Sequence, residues 1–166
     1  MRPMSDLSQL TLSLIKGLAE DENIAKLILS KDLTPYEMTL DEKDEVFKQL
    51  IFEKIYPYPK ITFEESSFVQ MRVYTPLVEF DDTFALSFYP FFIDIYMSED
   101  LILIKEKVGD DYKIKLRHIE LTSHVIKRLL EMYATEPKDV EVDFLAVDEA
   151  RIIGVRIQFE LFSVNE

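Results

Sequence analysis

Leu7, Leu10, Leu14 and Leu18 recur every three to four residues, the spacing that gathers apolar side chains on one helical face. Leu12 and Ile15 widen this stripe, Ser5 offers an N-cap and Asp6 suits the first turn, so the spacing predicts a helix over 5–30. The polar run Glu20-Asp21-Glu22-Asn23 interrupts or kinks it before Ile24-Ala25-Lys26-Leu27-Ile28-Leu29 resumes. A second helix is expected over 41–55. Thr39 and Glu42 have capping-box spacing, and Val46, Phe47, Leu50, Ile51 and Ile55 share a face until Pro57 and Pro59 stop the element.

Beyond Tyr56-Pro57-Tyr58-Pro59 the period changes to two. Val69, Met71 and Val73 alternate with Gln70 and Arg72, as in a half-buried strand. An acidic connection, Glu79-Phe80-Asp81-Asp82, leads to a longer strand at 84–97, with Phe91, Ile93, Ile95 and Met97 opposite Asp94 and Tyr96. Pro90 cannot donate to a ladder and marks an edge, a bulge or a bend there. Leu101 to Ile104 and the Gly109-Asp110 turn make either a hairpin or a long loop. From 116 to 133 the period is helical again, with Ile119, Ser123, Ile126, Leu130 and Tyr133 inward, Arg117, Lys127 and Arg128 toward solvent, and Pro137 as the stop. Val140, Val142, Phe144 and Ala146 alternate with Glu141 and Asp143, Asp148-Glu149-Ala150 turns, and Ile153, Val155, Ile157, Phe159 and Leu161 alternate in return, a terminal hairpin. The expected fold is a single α+β domain over 1–166, with helices at 5–55 and a mainly antiparallel sheet at 61–162. The helices, including the long one at 116–133, cover one face of that sheet.

Composition supports a folded chain: 48% of the 166 residues are hydrophobic and only three are glycine. The net charge of −13 argues against a general nucleic-acid binder or a protein that adheres to anionic membranes, both of which rely on Lys and Arg. No cysteine is present, which removes disulfides, thiolate chemistry and thiolate-bound zinc. The N-terminus lacks the unbroken apolar run of a secretory signal, and the apolar stretch at 84–97 is too short to span a bilayer as a helix.

The residues announce no reaction. His118 and His124, six apart on a helix, point roughly 120° away from each other and read as surface or flanking groups. The acidic pairs Glu64-Glu65, Asp81-Asp82, Glu99-Asp100, Asp110-Asp111 and Asp148-Glu149 read as solvated turns without calcium-loop spacing. Gly17, Gly109 and Gly154 are too scattered for a phosphate cradle. Asp94 or Asp100 followed by Asp111-Tyr112-Lys113 loosely matches the acid then acid-x-Lys arrangement of Mg²⁺-dependent nucleases, but a turn is expected at Asp111. The run Phe84, Phe88, Tyr89, Phe91, Phe92, Tyr96 lies in acidic surroundings and reads as core or protein interface rather than a base-stacking platform.

Charge is unevenly placed. Residues 105–130 carry +3 between segments of −7 (61–104) and −6 (131–166). A surface with segregated signs can associate head to tail with copies of itself. Lys105, Lys107, Lys113, Lys115, Arg117, Lys127 and Arg128 are therefore the candidate interface residues.

The order of an N-terminal helix, Tyr56-Pro57-Tyr58-Pro59, strands near 68–75 and 84–97, a basic connection, the 116–133 helix and the 140–162 hairpin resembles the tail terminator (tail completion) proteins of tailed bacteriophages. The 41–55 helix is additional to the minimal pattern. The resemblance implies a non-enzymatic virion subunit, assembled in the host cytoplasm, with no cofactor or metal. It also implies a homo-oligomeric, hexameric ring on the tail tube, touching neck or connector proteins and letting DNA pass unbound. The acidic surface is then expected toward the channel, and the 101–115 connection is expected to order on a neighbour. The alternatives are an acidic DNA-mimic inhibitor and the Mg²⁺-dependent nuclease.

Overall fold

The break expected at Glu20-Asp21 separates two helices, α1 (Pro3–Ala19) and α2 (Glu22–Leu29), and Asp21 caps the second by accepting the Ile24 amide at 3.0 Å. The computed structural model describes residues 3–59, 62–63, 66–76, 87–133 and 138–163. Glu64-Glu65, the connection at 79–82, Phe84 and Pro137 lie outside the described residues. Two further helices follow, α3 (Lys43–Gln49), continued by a π-type turn at Leu50–Lys54, and α4 (Arg117–Met132).

Seven strands complete the described architecture: β1 (Ile55–Tyr56), β2 (Val69–Tyr74), β3 (Ser87–Ser98), β4 (Leu103–Val108), β5 (Asp111–Leu116), β6 (Lys138–Leu145) and β7 (Ile152–Ser163). Five form one sheet in the order β1-β2-β3-β7-β6, antiparallel except for the short β1–β2 pair, while β4 and β5 form a separate hairpin. This is the α+β fold the periodicity predicts. Met71, Ile93, Ile95, Val155, Ile157 and Phe159 line one sheet face and are buried beneath α1, α2 and α4. Phe91 stacks on Phe159 within this layer, so that part of the aromatic run is core.

Several expectations are corrected. Leu12 is exposed, so the α1 stripe is Leu10, Leu14, Ile15 and Leu18. The Thr39–Glu42 capping box does not form: Glu42 is itself the residue before α3, left-handed at φ +52°, and makes no side-chain cap. Gln70 and Arg72 are buried along with their apolar neighbours; on this second face of β2 and β3 the Phe63 ring packs against Phe68, Tyr96 and the Arg72 guanidinium. The inward face of α4 is turned by about one position. His118, Leu121, Thr122, Val125 and Leu129 are buried, whereas Ile119, Ser123 and Leu130 are exposed. Of the two readings of the 101–115 connection, a hairpin or a long loop, the structure shows the hairpin, β4–β5, with Gly109 at φ +65° in its turn, a conformation that glycine adopts without strain. Among the described residues, the β2–β3 ladder ends at Tyr74 and Phe92. Pro90, two residues beyond, is paired only with Glu160 of β7 and sits at a local edge.

Candidate assembly surface

Alternation in β4 and β5 builds an exposed apolar surface. The register puts Leu103 opposite Leu116, Lys105 opposite Ile114 and Lys107 opposite Tyr112, so these six side chains share one face. All six are exposed, Ile114 at 71%. On the opposite face Ile104 is buried and anchors the hairpin, and Lys115 pairs with Glu106 and, at 2.9 Å, with Glu120 of α4. These two carboxylates hold the Lys115 ammonium above the ordinary lysine range. The Lys105 amide donates to the Leu33 carbonyl at 2.6 Å, which fixes the outer edge of β4 on the body. The outer edge of β5 has no strand partner among the described residues.

The seven candidate interface residues therefore divide. Lys105, Lys107 and Lys113 are exposed on the hairpin, and Lys127 is exposed on α4. Lys115 is half-buried in its two ion pairs. Arg128 lies partly under α1, donating to the Gly17 carbonyl at 2.9 Å and reaching Glu131 at 3.6 Å. Arg117, expected toward solvent, is 1% exposed. Its Nε donates to the Leu101 carbonyl (2.8 Å), Nη1 to those of Leu27 and Ser30 (both 2.8 Å) and Nη2 to that of Asp32 (2.9 Å). Burial pulls the guanidinium down to about 10, with Asp32 opposing the shift, so it remains charged at pH 7. It binds the carbonyl-rich end of α2, where a cation complements the helix dipole.

A second exposed apolar surface lies on β6. Val140, Val142 and Phe144 alternate as expected, and the register sets Val142 beside Ile157 and Phe144 beside Val155, on the helix-covered face. β6, however, is an edge strand that the helices cover only at its margin, where His118 of α4 meets Phe144, and Phe144 is still 72% exposed. Glu141 and Asp143 are exposed on its other face. Ile119 and Leu130 of α4 are exposed as well. His118 is not a surface group: it is buried, its ring lies 6.1 Å from that of Phe144, its Nδ1 has no hydrogen-bond partner, and burial lowers its pKa. His124 instead flanks α4, its Nε2 lying 2.9 Å from the Tyr36 hydroxyl.

The helix-free face of the sheet holds an open cleft of about 750 Å³ lined by Phe63, Arg72, Tyr74, Asp94, Tyr96 and Arg156. Asp94 accepts from Arg156 Nε (2.8 Å) and Nη2 (3.1 Å) and from the Tyr74 hydroxyl (2.7 Å). Arg72 lies over Tyr96, 3.9 Å from the ring centre, and 4.9 Å from that of Phe63. Burial lowers its pKa. Asp94 is thus committed to three donors, and the cleft reads as a cross-strand lock for the second sheet face.

Asp111, expected in a turn, opens β5, but it lies on the hairpin while Asp94 lies on the five-stranded sheet, so the structure does not assemble the acid then acid-x-Lys arrangement on one sheet. Asp100 accepts from the Ser67 hydroxyl. Among the described residues no group of three or more His, Asp or Glu is arranged to hold a metal ion, and no helix is long and apolar enough to cross a membrane.

A family model described as YomW matches residues 21–160, which includes α2 to α4, all of β1 to β6 and most of β7. The chain belongs to the YomW family. That family name derives from a phage gene, and the YomW-family chain is accordingly phage-associated. No curated protein and no solved structure matches it. The matched region contains both the hairpin and most of the β6–β7 pair, so the two exposed apolar surfaces of this YomW member belong to the part the family shares.

Proposed function

We propose that this YomW-family chain is a non-enzymatic virion subunit that assembles as a ring at the end of a phage tail tube, in the role of a tail terminator. The observation that carries the reading is the presence of two separate exposed apolar surfaces with opposite charged neighbours. Leu103, Tyr112, Ile114 and Leu116 share a face with Lys105 and Lys107, and Lys113 lies on the reverse of the same strand; Val142 and Phe144 alternate with Glu141 and Asp143 on β6. Exposed apolar patches mark association sites, and two different complementary patches on one chain produce head-to-tail contact, which closes into a ring when the rotation allows. The acidic excess suits a ring through which DNA slides, because like charge prevents the duplex from sticking. Tail-tube and neck proteins are the partners this reading requires. Light scattering and negative-stain microscopy of the purified full chain test it: closed rings of uniform size are expected, together with capping of tube protein at one end. A chain that stays monomeric at high micromolar concentration and does not halt tube growth refutes it.

A further inference from the structure

We infer that neighbouring copies join by strand pairing, β5 of one lying along the outer edge of β6 of the next, so that each hairpin extends its neighbour's five-stranded sheet. This rests on the ring reading and specifies its contact. Both strands have a backbone edge without a strand partner among the described residues. An exposed edge of this kind is a ready template for another chain. A bulge between Lys138 and Glu141, with Asp139 left-handed at φ +54°, confines the regular run of β6 to Glu141–Leu145, a length that β5 spans with Asp111–Leu116.

The alternation is what selects the partner. In β5, Tyr112, Ile114 and Leu116 share one face and Lys113 and Lys115 the other; in β6, Val140, Val142 and Phe144 share one face and Glu141 and Asp143 the other. Centring Ile114 on Val142 aligns apolar with apolar and lysine with carboxylate from Glu141 to Phe144, whichever way the strand runs. Antiparallel pairing sets Tyr112 by Phe144 and Lys113 by Asp143, and brings Lys115, which already holds Glu106 and Glu120, beside Glu141. Directly opposed unlike charges and apolar pairs are the units that stabilise a ladder. Self-pairing is disfavoured in both cases, because β6 against β6 opposes Glu141 and Asp143, and β5 against β5 opposes the two lysines. The contact is therefore heterologous, and it places Phe144 and Ile114, the two most exposed apolar groups of these strands, against a common partner surface.

The absence of cysteine makes the test direct. Ile114→Cys and Val142→Cys are prepared separately as full chains, both at exposed positions, then mixed at equal concentration and oxidised. The expected result is a covalent pair containing one chain of each kind, with far less product from either variant alone. Lys113→Glu is expected to weaken assembly at least tenfold. Adding Asp143→Lys restores it if the strands run antiparallel, and adding Glu141→Lys restores it if they run parallel. Rings that form without the 114–142 cross-link, and that neither second substitution rescues, overturn the strand pairing while the ring reading stands. A chain that is monomeric under all these conditions overturns both.

Discussion

Replacing Arg117 by alanine removes four hydrogen bonds of 2.8 to 2.9 Å from a site that is 1% exposed. The carbonyls of Leu27, Ser30 and Leu101 lose their charged donor in a buried setting, and an orphaned buried acceptor costs about 1–3 kcal/mol. Relief from keeping a desolvated cation, and water entering the vacated space, offset part of that. The net loss is about 3–5 kcal/mol, typical of breaking a buried charged network and a large share of the roughly 5–15 kcal/mol of a folded domain. With a urea slope of about 2 kcal/mol per molar, the unfolding midpoint, followed by far-ultraviolet circular dichroism, falls by about 2 M. Lys127→Ala, exposed on the same helix, is the control and stays within about 0.5 kcal/mol. If the two variants unfold within about 0.5 M of each other, Arg117 is not the link between α2, the Leu101 turn and α4.

Three further outcomes are expected. His118 has a folded pKa below its ordinary value because it is buried, so the unfolded chain binds the extra proton as pH falls below about 6.5 and stability drops in that window. His118→Gln should lose less midpoint between pH 7.5 and 5.5 than the parent, and equal losses would contradict the assignment. Gly154→Ala brings a Cβ within 2.9 Å of the Leu145 Cβ and 3.1 Å of Tyr96 Cε1, atoms held in the sheet, so thermal unfolding should show a cost of about 1–3 kcal/mol. An unchanged melting temperature would count against it. Asp94→Asn removes the counter-charge of Arg156 and should cost about 2–4 kcal/mol by urea unfolding, with Arg156→Met in the Asp94→Asn background recovering part of it.

The terminal hairpin was legible because a period of two with a polar corner leaves few alternatives, and the α1–α2 break because the polar run Glu20-Asp21-Glu22-Asn23 interrupts the apolar stripe. What strand alternation does not contain is whether anything lies over each face. Val142 and Phe144 have the period of buried residues and are exposed because β6 is at the edge, whereas Arg72 has the period of exposed residues and is buried with its guanidinium against the Phe63 and Tyr96 rings. The face of α4 was misjudged for a related reason: Arg117 counted as polar, yet it is inside because backbone carbonyls from three other segments converge on it. Of the candidate surface, the lysines of the hairpin were visible as charge. Their apolar companions Tyr112, Ile114 and Leu116 were equally visible as alternation, but 101–115 was too short and too charged to separate a hairpin from a loop.

The position of β7 has a consequence for timing. It stands between β3 and β6, and β3 precedes it by more than fifty residues, so the ladder from Ser87–Ser163 to Ser98–Ile152 closes late in folding, as long-range pairings do. Until it closes, β6 has no fixed sheet to curve it and no settled outer edge to present. In the strand-paired ring proposed above, a subunit still folding therefore lacks the edge its neighbour would use, and incorporation would act as a proofreading step that admits only chains whose central strand is seated.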